Sequence, residues 1–135
     1  MIGIVVVTHG KLSEELVRAT EHVVGSQTAF QAISIEVEDD VEARRDEIRQ
    51  TVKESDQGHG VIILTDMFGG TPSNMSLSFH DEHQVEVVTG MNLPMLIKLA
   101  TLRDAKPLDE LAAFIKAYGQ RNISVASELV PEGEP

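Results

Sequence analysis

Cysteine is absent from the 135 residues, which excludes disulfides, thiolate nucleophiles and cysteine metal sites together. Long apolar runs are absent too, since nothing approaches the roughly 20 residues that a membrane-spanning helix needs. The amino terminus is strand-like and has no positive stretch ahead of its apolar run, so it does not read as a signal peptide. The expectation is a cytoplasmic protein without direct membrane insertion. Basic residues are scarce, 11 against 22 acidic ones, and the net charge of −11 argues against a nucleic-acid partner. It suits a partner with a basic docking face. There is no Walker lysine motif and no cluster of carboxylates for magnesium, so no metal and no cofactor are expected.

The length fits one domain with a real core. Residues 2–7 contain five Ile or Val in six positions and read as a strand buried on both faces. A helix follows over 11–24, with Leu12, Leu16, Ala19 and Val23 at helical spacing and Gly25 just past its end. Residues 30–37 make a second strand whose apolar members include Val37, and 41–55 make a charged helix with a thin apolar stripe. Val61, Ile62, Ile63 and Leu64 form a third strand, 72–79 a short helix and 85–89 a fourth strand. Pro94 fits the first position of a helix running to 102, and Pro107 opens a last helix with Gly119 as its stop. Residues 123–126 are short and β-prone. Short connections in this order predict a three-layer α/β fold with a mostly parallel, flavodoxin-like sheet of order 2-1-3-4 and helices on both faces. The domain is expected over 1–127, with 128–135 a flexible acidic tail.

Two strand ends carry the chemistry. The first strand stops on Thr8-His9-Gly10 and the third on Thr65-Asp66. In the 2-1-3-4 order these strands are neighbours at the topological switch point, where a crevice opens beyond their carboxyl ends. A carboxylate on one ring nitrogen of His9 fixes the tautomer and leaves the other as a nucleophile. After Asp66 and the Met67-Phe68 pair come Gly69 and Gly70, which let backbone approach a ligand closely. Thr71 reads as an N-cap and Pro72 as the first helical residue, so free amides and the helix dipole favour a phosphate there. Nucleophilic histidine, orienting aspartate and anion hole together point to phosphoryl transfer through a phosphohistidine, the phosphoryl group coming from another phosphoprotein.

Thr8-His9-Gly10, residues 66–74 (Asp-Met-Phe-Gly-Gly-Thr-Pro-Ser-Asn) and residues 90–96 (Gly-Met-Asn-Leu-Pro-Met-Leu) appear in this order. Together they resemble the EIIA domain of the mannose family of the bacterial sugar phosphotransferase system. The resemblance runs from Ile2 to about Ala126. It implies that His9 is phosphorylated by the phosphocarrier HPr and passes the group to a EIIB component. It implies further that Asp66 hydrogen-bonds the histidine and that the Gly70-Thr71 region receives the phosphoryl group. A homodimer is implied as well, in which the strand at 123–126 pairs antiparallel on the partner's sheet. Thr71 stands where a serine is common, and Met67-Phe68 differs from the Thr-Trp of some members, which bears on docking. Asn92 and Pro94 begin the loop after the fourth strand and are further candidates for the docking surface. Some members continue into a EIIB domain, whereas this chain stops. It therefore fits a carrier for uptake, associated with membrane EIIC and EIID subunits, or a regulatory EIIA whose phosphorylation state controls a partner.

Two rivals are weaker. A response-regulator receiver needs an acidic pair after the first strand, and Thr8-His9-Gly10 stands there. Histidine phosphatases put an arginine before the histidine, where this chain has Thr8. Among the other histidines, His22 reads as helical, His59 as a turn residue at the wrong end of the third strand, and His80 and His83 as part of a solvated turn.

Overall fold

The strand at the amino terminus feeds apolar side chains to both sides at once, and the fold is built outward from it. In the computed structural model, which describes residues 1–79 and 84–130, this strand is β1 (Gly3–His9), buried at every position but His9. The chain continues through α1 (Leu12–Val24), β2 (Phe30–Ile35), α2 (Val41–Ser55), β3 (Val61–Thr65) and α3 (Thr71–Leu77). It ends with β4 (Val85–Thr89), α4 (Leu93–Leu102), α5 (Leu108–Arg121) and α6 (Ala126–Leu129). The four strands form one parallel sheet in the order β2-β1-β3-β4. This is the order expected from the short connections.

Alternation along the strands splits the core in two. Ile4 and Val6 of β1, with Ile62 and Leu64 of β3, pack under Leu96, Leu99, Leu111 and Ile115 from α4 and α5, and Leu16 of α1 joins that side. Val5 and Val7, with Ile63, face Ile48 and Val52 of α2, Met75 of α3 and Phe79. α1 and α3 therefore leave the adjacent strands β1 and β3 toward opposite faces, the condition for a crevice at their carboxyl ends. Removing this much apolar surface from water is the main force holding the three layers together.

Several boundaries differ from expectation. α3 starts at Thr71 with Gly70 as its N-cap, so Thr71 is already helical. α4 starts at Leu93, with Pro94 second, because the Asn92 side chain caps the helix by accepting from the Met95 amide at 3.2 Å. β2 ends at Ile35, which leaves Val37 outside the sheet and wholly exposed. Gly119 does not stop α5 but lies inside it, buried against α4. A Cβ there would come within 2.3 Å of Met95 Sδ, so glycine is what lets the two helices approach. Residues 123–125 form no strand in the single chain, since they pair with neither sheet edge, and α6 follows across the expected boundary at 127/128. The turn containing His80 and His83, and positions 131–135 of the expected tail, lie outside the described residues.

Replacing Gly119 by alanine should destabilise the fold by up to about 2 kcal/mol, the overpacking cost of about 1–3 kcal/mol less the roughly 1 kcal/mol that alanine gains inside a helix. Urea unfolding checks this. A midpoint raised by the full helix-propensity gain would mean that α4 and α5 do not pack as described.

Candidate active site

The register of the sheet decides what meets at its carboxyl edge. Val7 lies opposite Thr65 and His9 opposite Ile35, so β1 runs past the end of β3 and sets His9 beside Asp66. His9 Nδ1 lies 2.8 Å from Asp66 Oδ2, and the His9 backbone N–H donates to the same oxygen at 3.0 Å. Asp66 Oδ1 accepts from the Met67 amide at 3.0 Å. The carboxylate is thus held by backbone at both oxygens, and the imidazole is aligned on it from two points. An ionised carboxylate only accepts, so the ring proton belongs on Nδ1 and the lone pair on Nε2.

Asp66 is three-quarters or more covered, with 15% of its side chain exposed against 50% for His9. Burial alone would raise its pKa. The hydrogen bonds from the His9 ring and amide and the positive charge of the ring outweigh that, and the net direction is down.

Gly70 closes the other side of the ring. A Cβ at Gly70 would lie 2.6 Å from His9 Cε1 and 2.9 Å from Nε2, so bare backbone rests against the nucleophilic edge. Gly69 beside it has φ +88°, a conformation that glycine adopts without strain. Thr71 is exposed at the first position of α3 and shares a cavity of about 270 Å³ with His9, Gly10, Ile35, Val37 and Met75. Pro72 has no N–H, so the amides available at the start of α3 are those of Thr71 and Ser73. Met67 and Phe68 stand out from the same loop, 53% and 72% exposed.

The remaining candidates lie apart. Asn92 is two strands away, beyond β4, half-buried, with its amide donating to Gly119 O at 3.0 Å; Pro94 is half-buried in the first turn of α4. His22 is exposed on α1, and His59 Nδ1 meets the chain's amino terminus at the opposite end of the sheet. Among the described residues no group of three or more His, Cys, Asp or Glu is placed to hold a metal ion.

The hydrogen bonds of two residues that shape the site escaped the sequence reading. Thr8 is fully buried; its Oγ accepts the Ser13 amide at 2.7 Å and donates to Gly10 O at 3.3 Å, spanning the turn that follows His9. Lys11 is the N-cap of α1 and makes no side-chain cap, so Thr8 performs that task from three residues upstream. Ser13 Oγ then donates to Ile33 O at 2.9 Å, and the Gly10 amide donates to Ile35 O at 2.8 Å, tying the turn to β2. A hydroxyl residue ending a Val/Ile run, with a serine five positions on, was the available signal.

Most of the chain is similar to known proteins. A family model, EIIA-man, described as the phosphotransferase-system (PTS) fructose IIA component, matches residues 3–116. The PTS fructose-specific EIIA component of Bacillus subtilis is 30% identical over 129 residues, covering 95% of this chain and 88% of that protein. The mannose-specific EIIAB component of Escherichia coli is 32% identical over 124 residues, 90% of this chain but only 38% of the relative. Among solved structures, the phosphotransferase system component EIIA from Streptococcus agalactiae aligns with a TM-score of 0.87 at 25% identity, over 95% of this chain and 99% of the other. The mannose/sorbose-specific IIA subunit from Enterococcus faecalis aligns with a TM-score of 0.84 at 27% identity, over 99% and 98%.

The lowered Asp66 pKa fixes a sign for pH dependence. A carboxylate whose folded value lies below its unfolded one stabilises the fold fully above the unfolded value of about 3.9. That contribution is lost as pH falls through the folded value. A carbon-detected NMR titration should therefore place the Asp66 midpoint below about 3.9. A midpoint at or above that figure would discount the hydrogen-bonded geometry.

Proposed function

The chain belongs to the EIIA-man family of phosphotransferase-system components, and on that premise we propose that it is a phosphohistidine carrier with His9 as the residue phosphorylated. The observation that carries this reading is the 2.8 Å contact between His9 Nδ1 and Asp66, which leaves Nε2 as the nucleophile. Phosphorylated HPr is the donor. The Nε2 lone pair attacks phosphorus in line, the new N–P bond forms as the donor's P–N bond breaks, and the donor imidazole leaves with its bonding pair. His9 keeps its Nδ1 proton throughout. Its ring gains positive character as the lone pair is shared, and the Asp66 carboxylate opposes that charge at hydrogen-bond distance.

Gly69, Gly70 and Thr71 receive the phosphoryl oxygens. The bare Gly70 backbone leaves room at the ring edge, and the Thr71 hydroxyl and the amides of Thr71 and Ser73 are the donors at hand. A EIIB component then takes the group by the reverse displacement. Met67 and Phe68 belong to the docking surface by their exposure beside His9. Asn92 and Pro94 contribute to it by holding the loop after β4 rather than by free side chains, since both Asn92 side-chain polar groups are engaged. The carrier works in the cytoplasm, where its donor is made. Among the described residues no helix is long and apolar enough to cross a membrane, and EIIC and EIID would supply that part of an uptake system.

A homodimer is part of the same reading. The outer edge of β4 is unpaired among the described residues, and with α5 it bounds a cavity of about 560 Å³ that reaches Ile123. Ile123, Val125, Leu129 and Val130 are all more than half exposed just beyond it. An open edge beside an apolar terminal segment favours pairing with the same segment of a second copy.

Incubation with phosphoenolpyruvate, enzyme I and HPr should add one acid-labile, base-stable phosphoryl group per chain by intact mass. His9→Ala should abolish it. Asp66→Ala should slow it by about a hundredfold or more, since the ring loses both orientation and counter-charge. Transfer that survives His9→Ala, or an Asp66→Ala variant at the normal rate, would overturn the corresponding role.

A further inference from the structure

Resting on the carrier reading above, we propose that residues 36–40, the loop between β2 and α2, capture the phosphoryl donor protein. Val37 is the anchor, and Glu36, Glu38 and Asp40 are the charges that match a Lys- or Arg-rimmed apolar socket on the donor. Val37 is 100% exposed in a loop that is otherwise firmly held. The hold comes from Asp39. Its Oδ2 accepts the Glu36 amide at 2.7 Å and Arg44 Nε at 3.0 Å, and the Asp39 amide returns to Glu36 O at 3.2 Å. Asp40 caps α2 by accepting from the Glu42 amide at 3.0 Å. A loop ordered before contact loses little conformational freedom on binding, so an anchor on it retains more of its burial energy as affinity.

The loop is also next to the chemistry. Ile35, the residue before it, is in register with His9 and accepts the Gly10 amide. Val37 and Val41 line the cavity that His9 and Thr71 share. Leu12, Met67 and Phe68 are also exposed, on the segments that follow β1 and β3. Scattered exposed apolar residues need no explanation, but several on segments that leave the strand ends bearing a reactive side chain point to a contact surface.

Charge selects the partner. Arg44 pairs with Asp39 and Arg45 with Glu42, while no ion pair among the described residues engages Glu36, Glu38 or Asp40. The donor brings a phosphoryl dianion to a chain of net charge −11, an encounter that is repulsive unless cations around that dianion meet these carboxylates. The carboxylates stand on the β2 side of His9 only, so they orient the donor as well as attract it.

The test is the initial rate of phosphorylation by phosphorylated HPr. Val37→Ser should raise KM about five- to tenfold with kcat within about twofold, as expected for losing one buried valine contact. Glu36→Gln, Glu38→Gln and Asp40→Asn together should lower kcat/KM about tenfold at low salt and flatten its dependence on ionic strength; Asn keeps the cap oxygen on α2. Phosphoramidate, a small reagent that needs no docking, should label His9 at the unaltered rate in every variant. Unchanged KM and salt dependence would overturn the proposal, as would a loss confined to onward transfer to EIIB. A parallel loss with phosphoramidate would overturn it too, by showing that the loop serves the ring and not the partner. If neither reagent labels the unaltered chain at His9, the carrier reading itself falls and this inference with it.

Discussion

The pairing of Val7 with Thr65 governs more of this molecule than any single contact at the site. Parallel strands locked in that register end at fixed heights, and β1 outruns β3 by enough to bring His9 within reach of the Asp66 side chain. A slip of one residue would turn every side chain of β1 to the other face. Ile4 and Val6 would leave the α4–α5 core and Val5 and Val7 the α2–α3 core, so the apolar burial of two layers enforces the register. The reactive geometry is therefore held by the core, and little of the cost of aligning His9 falls on the exposed residues around it.

Asp66 sits between competing demands. Partial burial disfavours its charge, yet the ring of His9 and two backbone amides favour it more, and the carboxylate stays ionised well below neutrality. Exposure of half the His9 side chain keeps the imidazole reachable while its orienting partner is screened from water. A pair buried together would hold a stronger hydrogen bond but admit no protein partner. A pair exposed together would be weakened by solvent and salt. The split, with one member covered and one open, suits a group that must be both oriented and handed over.

Much of this was legible in the sequence because its signals were redundant. The apolar runs of β1 and β3 identify doubly buried strands, short connections give the 2-1-3-4 order, and the strand ends put His9 and Asp66 together. What was illegible rested on tertiary contact. Gly119 looks like a stop by local rules, but it lies inside α5 with Met95 of α4 packed against it, a contact that no local rule reveals. Val37 continues the apolar pattern of β2, yet the Asp39–Arg44 pair bends the chain into a loop one residue after Ile35 and turns it out to solvent. Thr8 passes as one more β-branched strand residue until Ser13 is seen to donate to it. Residues 123–126 have strand composition, but composition alone does not pair a strand, and among the described residues this segment joins neither edge of the sheet.

The shape of the site also bears on what it does not bind. Pockets for small molecules enclose most of their ligand, about 70–90% of its surface. Here the cavity beside His9 is about 270 Å³ and flanked by an exposed loop on either side, residues 36–40 and 66–70. A sugar placed there would remain largely in water, between walls that mix Ile35, Val37, Val41 and Met75 with His9, Glu36, Asp39 and Thr71. A protein surface can supply the missing enclosure, because docking brings its own wall across the opening and excludes water from the reacting atoms. On the proposed reading, such a half-built cavity would be completed by whichever partner is docked and left open for the exchange of one for the other.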